Sequence, residues 1–556
     1  MVIHLGNDPE GLNPINSVGA NATNIHNLIF DHLIALDFET LALVPRLAET
    51  MPEVSPDKRN LTFRLREGLT FADGQPLTAE DVAFSFRALM NPYVDSAPKR
   101  AELHDFIGCT AEDERTIVFT QEQSGPFNLN RLAINFFVLP KHIYDPDNLS
   151  DNYTGRDASL AIRYPEAVAP EKRAAMEAFA AAFEDENFQR EVGYVLGSGR
   201  YRFDGWTTGQ SIRLLRNEQY WNKESDASDA RQNLDTIIFK TIPDAQTALQ
   251  ALKSGEIDFS DRFEPDQIAS KFSGPELERI FATKSVPYPN YAYIGWNQNI
   301  RGKGPVQPFA DPRVRRAMSH LTDVVEIISN LLNGSAEPIT SMVYYNRPEH
   351  NKALKQIAYD EDRARALLAE AGWTDTDGDG LLDKDFQGTR APFRFTIYYK
   401  RGNELRRRIA RNLQDKCKKV GIEVKIADLD WTVMLDRLKR HELDAWVGGW
   451  VYDSDEQDLY SLFHSSQMLN DGYNWTSYIN PAADSVMEAI RKEWDPERRA
   501  VLHRDIQRIL YEDQPYTLLF ANAARIAYNK RLTNQAWYGQ RPCYDPPQFS
   551  LAAQQP

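Results

Sequence analysis

A helix with apolar residues at every fourth position lies between two runs of strand-forming residues. Phe395-Thr396-Ile397-Tyr398-Tyr399 reads as a strand, rich in β-branched and aromatic side chains. Leu405, Ile409, Leu413 and Cys417 then recur at steps of four, which places them on one helical face. Gly421 ends that helix, and Ile422 to Ile426 returns to strand. The order strand, helix, strand makes a βαβ unit, because two parallel strands need such a crossover. The same order occurs earlier. Asp235 to Ile242 reads as a strand, Asp244 caps a helix through Ala248, Leu249 and Leu252, Gly255 stops it, and Glu256 to Phe259 predicts a short strand. The chain is therefore expected to be α/β, with two separate α/β regions.

The front of the chain follows a different rhythm. Leu61, Phe63 and Leu65 alternate with Thr62, Arg64 and Arg66, the period of a half-buried strand. Thr78 with Asp81 opens a helix as a variant capping box, and Val82, Phe86 and Leu89 form its stripe. Thr116 to Thr120 is a further strand. Residues 150 to 190 turn polar and then rich in Ala, Glu and Arg. They predict a surface loop and an exposed helix near 170 to 185, an elaboration on the core. At 556 residues the chain has room for three or four domain-sized lobes.

Charge narrows the function. A formal charge of −16 argues against nucleic acid, whose phosphates require a basic footprint, and against anionic membrane surfaces. Cys109, Cys417 and Cys543 have neither zinc nor redox spacing, so core packing is expected for Cys417 and one bridge among the three stays open. No apolar run is long enough to span a bilayer, and the segment from Met1 to Gly6 lacks the features of a signal peptide. By itself this fits either a cytoplasmic chain or one beginning at the mature end of an exported protein.

Enzyme signatures are missing: no G-x-S-x-G elbow, no P-loop, no H-E-x-x-H and no strand-linked G-x-G-x-x-G. Gly197-Ser198-Gly199 reads as a turn. Two stretches carry chemistry. In Asp375-Thr376-Asp377-Gly378-Asp379-Gly380-Leu381-Leu382-Asp383, the acids fall at alternating positions of an EF-hand-like loop. Asp375, Asp377, Asp379, the Leu381 carbonyl and Asp383 would ligate a structural Ca²⁺, although Phe386 stands where a bidentate Glu is expected. The alternative is a solvated acidic turn. The second stretch is Gly448-Gly449-Trp450-Val451-Tyr452-Asp453-Ser454-Asp455-Glu456. Its glycines permit close backbone approach, its aromatics offer contact area and its acids could hold a cationic group. Taken alone, it also reads as a strand end with its loop.

Read in order, several segments resemble family 5 of the extracellular solute-binding proteins, the dipeptide- and oligopeptide-binding proteins of ABC importers. Leu61 through Gly74 and Thr78 through Ser85 look like its signature. Gly197-Ser198-Gly199-Arg200-Tyr201 resembles its G-T-G-P-Y turn, with Arg200 departing from the Pro. Asn217-Glu218-Gln219-Tyr220-Trp221, Ala251 through Asp258 and Phe309 through Ala317 follow in the family's order. The resemblance implies a periplasmic binding protein-like fold of type II, cluster C, with two α/β lobes around a ligand cleft plus an extra β-rich lobe. Lobe I would comprise 1–40, 199–285 and 515–556, lobe II 41–198 and lobe III 286–514.

The resemblance also implies a function. The chain would capture a peptide or other small solute by lobe closure for an ABC permease, without catalysis or a required cofactor. It would act as a monomer, in the periplasm or as a cell-surface lipoprotein, which favours an exported chain. Asp453 would grip the ligand ammonium, with Gly449, Trp450, Tyr452 and Asp455 around it. Asn297 falls in a segment the family places near the cleft, or else makes a strand-end hydrogen bond. The departure from the family's D-P-D at Glu456-Gln457-Asp458 leaves Asp453 and Asp455 as alternatives. An oligosaccharide stacked on the aromatics and a carboxylate-based hydrolase are the competing readings; the family also holds binders of nickel chelates, haem and opines.

Overall fold

A computed structural model describes residues 1–225, 227–263, 274–452, 456–468 and 472–552. The chain forms two units, residues 1–286 with 524–556, and residues 287–523. No helix among the described residues is long and apolar enough to cross a membrane.

In the first unit the N-terminal strand β1 (Val2–Leu5) is central. The predicted βαβ unit is present as a strand at Thr236–Thr241, a helix at Ala245–Ser254 and a strand at Phe259–Ser260. Its two strands do not touch each other; β1 lies between them and pairs in parallel with both. Asp244 caps the helix through the Thr247 N–H, and Gly255 closes it at φ 78°. The second strand is shorter than expected, because the Glu256 and Ile257 amides both bond Ala251 O and complete the helix terminus.

A separate antiparallel sheet holds Glu53–Val54, Asn60–Arg64, Thr116–Gln121 and Phe106–Ala111 in that order. Leu61, Phe63 and Leu65 are buried as the alternation requires. Phe119 meets the rings of Phe63, Phe86, Phe106 and Phe136 at 5.5–5.8 Å. The helix at Pro170–Phe183 is not a purely exposed elaboration. Met176, Phe179, Ala180 and Phe183 are buried, and Phe179 packs edge-on to Phe84. The Gly197-Ser198-Gly199 turn is pressed against the end of the helix Ala20–Ile29. A Cβ on Gly197 would lie 2.2 Å from Ile29 O, so only glycine fits there.

The second unit holds a mixed sheet in the order Glu423–Leu429, Arg394–Lys400, Ala445–Val451, Asn290–Trp296 and the part of Tyr516–Asn529 up to Ala523. We call these strands β2 (Asn290–Trp296), β3 (Arg394–Lys400), β4 (Glu423–Leu429), β5 (Ala445–Val451) and β6 (Tyr516–Asn529). β3 is parallel to β4 and to β5, and β2 is antiparallel to β5 and β6. Helix α1 (Glu404–Lys419) crosses from β3 to β4. Its predicted stripe is correct: Ile409, Leu413 and Cys417 are buried and Leu405 packs beside them. Asn403 caps it by accepting the Arg406 N–H. Cys109, Cys417 and Cys543 are buried thiols that form no disulfide with one another, so the bridge left open by the sequence is not made. Burial pushes the Cys543 thiol up to about 12.

Candidate functional site

Open α/β sheets bind ligands beyond the carboxyl ends of their parallel strands. In the second unit that place is where β3, β4 and β5 end. β3 pairs with β5 only at Ile397↔Ala445 and Tyr398↔Trp446. On its other side β5 pairs with β2 all the way to Val451↔Asn290. Among the described residues, Val447 to Val451 therefore has no strand partner along its β3 edge. Such an edge presents N–H and C=O groups able to pair with an added strand.

The two glycines of β5 have different duties. A Cβ on Gly448 would lie 2.5 Å from the Tyr293 ring, so this glycine makes room for a buried tyrosine. Gly449 is exposed, on the opposite face of the strand, and a Cβ there would lie 3.3 Å from Arg406 Nη2. Trp450 is half-buried, stacked on Trp475 with centroids 5.5 Å apart and edge-on to Tyr473. Tyr452 is also half-buried, 5.8 Å from the Tyr291 ring and 6.1 Å from Tyr344. Its N–H donates to Pro289 O at 3.1 Å. Burial pushes the Tyr291 and Tyr452 hydroxyls up, so both stay neutral in the physiological range. The structure thus gathers Gly449, Trp450 and Tyr452 at one strand end. Asp453 and Asp455 lie outside the described residues.

Asn297 takes the structural alternative. It is fully buried, and its Nδ2 donates to His441 O at 2.9 Å and Leu443 O at 3.0 Å. Its Oδ1 accepts from Asn299 N and Ser477 Oγ at 3.1 and 2.9 Å. With no face or amide group left over, it offers nothing to a ligand.

Sequence reasoning missed the frame behind the strand end. Helix α2 (Pro496–Asp513) carries Arg499, His503, Gln507 and Tyr511 at steps of four, hence on one face. Arg499 clasps Glu456 with two bonds of 2.6 and 2.9 Å, and His503 Nε2 meets the same carboxylate at 2.8 Å. Gln507 bonds the Asn351 N–H and Glu349 O, each at 2.8 Å, and Tyr511 Oη donates to Lys355 O. Glu456 is only 7% exposed. Burial alone would raise its pKa, but the hydrogen bonds and charges of His503 and Arg499 outweigh that and hold it at about 2. The spacing of Arg499 and His503 was visible in the sequence; their partner on a distant loop was not.

The acidic run is self-occupied. Asp375 accepts the Gly378 and Gly380 N–H groups, Asp377 accepts Asp379 N–H, and Asp379 accepts Leu381 N–H. Asp383 opens the strand Asp383–Phe386 and bonds Thr376 and Arg390. Oxygens of Asp375, Asp377 and Asp383 still converge within 4.8 Å, whereas Asp379 is outside this group.

The comparisons with known proteins agree along the chain. The family model described as bacterial extracellular solute-binding proteins, family 5 Middle, matches residues 42–470. The oligopeptide-binding protein AppA of Bacillus subtilis is 29% identical over 553 residues, covering 98% of this chain and 90% of that protein. The dipeptide-binding protein of Escherichia coli is 23% identical over 530 residues, covering 92% and 87%. Among solved structures, Bacillus subtilis AppA in complex with a nonapeptide aligns with a TM-score of 0.65 at 28% identity, over 100% of this chain and 99% of that one. HbpA2 from Haemophilus parasuis aligns with a TM-score of 0.78 at 22% identity, over the full length of both.

Proposed function

Since the chain belongs to family 5 of the bacterial extracellular solute-binding proteins, we propose that its solute is a peptide, which it captures outside the cytoplasm and delivers to an ABC permease. A binding protein of this kind returns its ligand unchanged, so the acids near Asp453 are not a hydrolytic pair. The open edge of β5 at Gly449 to Val451 carries the reading. An extended peptide can add to that edge through its main chain, which gives affinity with little demand on side chains. Trp450 and Tyr452 supply apolar contact, and Asp453 pairs with the ligand ammonium immediately beyond them. The likeness to AppA over nearly the whole chain supports the choice of peptide.

The test is calorimetric titration of the protein with peptides bearing free or acetylated amino termini. Asp453→Asn keeps the size of the side chain and removes its charge, leaving a desolvated ammonium unpaired. The expected loss is about 3–5 kcal/mol, a few hundred- to a few thousand-fold in affinity. N-acetylation should cost a similar amount, and the two losses should not add, because they remove one interaction. Asp455→Asn is the control. Damage from Asp455→Asn alone would move the ammonium site by two residues. Indifference to all three changes would favour a neutral solute such as an oligosaccharide.

A further inference from the structure

Two buried histidines of the chain are well partnered. His4 bonds Ser260 Oγ at 2.8 Å and Ile242 O at 2.9 Å, and His503 meets Glu456. His26, on the helix Ala20–Ile29, is fully buried, and neither of its ring nitrogens has a hydrogen bond among the described residues. Its ring lies edge-on to Phe30 and Phe137 at 6.1 and 5.8 Å. Phe137 gathers two further basic groups. The His32 ring is 4.1 Å from it, with Nδ1 donating to Phe136 O at 2.8 Å. Lys99, on the helix Ala97–Glu102, is buried with its Nζ 5.0 Å from the Phe137 centroid and donates to Pro14 O. Three basic side chains therefore share one aromatic ring in the first unit.

No carboxylate hydrogen-bonds any of the three among the described residues. The titratable groups facing His26 are Lys99 and His32; Asp31 and Arg46 also face His32, and Glu10 faces Lys99. Asp31 is committed to Arg46, Ser198 and Trp221, and Glu10 accepts the Val18 and Gly19 N–H groups. A charge without a counter-ion is costly in such a site, and a second beside the first costs more. Burial accordingly lowers Lys99 to about 8 and His32 to about 4, and holds His26 well below the ordinary histidine range. Near neutrality the box thus holds one cation, Lys99, whose bond to Pro14 O ties the segment before the helix. That segment is thinly held: Leu12 N–H donates to Gln189 O, but the Asn13 Nδ2 beside Pro14 is buried with no partner.

We propose that the box around Phe137 is an acid-sensitive latch, closed over neutral His26 and His32 and opened by protons, which fastens residues 12–30 to the rest of the first unit. The latch is independent of which solute the protein carries. Opening exposes the histidines, which then take protons with an ordinary pKa of about 6.5. Because their folded-state pKa values are depressed, the closed form is favoured fully above pH 6.5 and loses ground as the pH falls below it. At pH 5 each histidine exposed by opening multiplies the open population about thirtyfold, so the pair gives up to about a thousandfold.

The experiment is hydrogen exchange of the full chain read by mass spectrometry at pH 7 and pH 5, with rates corrected for the intrinsic pH dependence of exchange. Local opening is what such exchange reports. Between the two pH values, residues 12–30 should gain at least about thirtyfold in open population, whereas the helix Pro170–Phe183 of the same unit, which has no histidine, should not. His26→Leu, close to histidine in volume and unable to titrate, should remove about thirtyfold of that gain. Lys99→Met, which cuts the tie to Pro14 O, should raise opening at both pH values and keep the pH ratio. The wild-type comparison needs no variant, so a misfolded His26→Leu does not block the test. A gain below about fivefold in residues 12–30, an equal gain in Pro170–Phe183, or a His26→Leu protein with the full wild-type gain overturns the inference.

Discussion

Replacing Glu456 by Gln should destabilise the second unit by about 3 kcal/mol at neutral pH, and the deficit should vanish in acid. The carboxylate is held at about 2, well below the ordinary glutamate value of 4.5, because His503 and Arg499 outweigh its burial. At roughly 1.4 kcal/mol for each pH unit of that difference, the pair contributes about 3 kcal/mol. Independently, removing one member of a buried pair costs about 3–5 kcal/mol, and the Glu456 and Arg499 side chains are 6% and 12% exposed. Because the folded-state pKa is depressed, the contribution is complete above pH 4.5 and fades as the pH falls toward 2.

The assay is the melting temperature of wild type and Glu456→Gln from pH 7 down to the lowest pH at which both fold. At about 2–4 °C per kcal/mol, the gap should be about 6–12 °C at pH 7 and should narrow steadily below pH 4.5. Glu456→Gln combined with Arg499→Met should cost less than the sum of the single changes by at least about 2 kcal/mol, since both remove the same pair. A gap under about 2 °C at pH 7, or one that stays constant into acid, would refute the assignment of this stability to the buried carboxylate.

Other expectations concern separate parts of the chain. Arg200 and Asp545 form a doubly hydrogen-bonded pair at 2.7 Å, both at most 4% exposed, so Asp545→Asn should lower the stability of the first unit by about 3–5 kcal/mol in chemical denaturation. Gly448→Ala forces a Cβ to within 2.5 Å of the Tyr293 ring and should cost about 1–3 kcal/mol, read as a lower melting temperature. For the acidic loop, calcium at a hundred times its dissociation constant should add about 2.7 kcal/mol, reversed by EDTA. An unchanged melting temperature in EDTA would leave the loop as an acidic turn closed by its own hydrogen bonds.

The two βαβ units, the caps at Asp244 and Thr78, and the stripe from Leu405 to Cys417 were legible in the sequence. Each depends on neighbours within about four positions, where period and capping chemistry act directly. The strand end at Gly449 to Tyr452 was legible too, through its composition and the family resemblance. What the sequence could not decide were pairings between distant segments. The insertion of β1 between the strands of the first βαβ unit is set by partners more than 230 residues away. Asn297 looks the same in sequence whether it faces a ligand or fills a strand end, and only three hydrogen bonds with remote residues settle it. Glu456 reads as one more acid in an acidic loop until α2 brings Arg499 and His503 to it. Local order comes from sequence periodicity, whereas the burial and partnering of a charge depend on which surfaces the folded chain brings together, and that decides which charges are structural and which remain for a ligand.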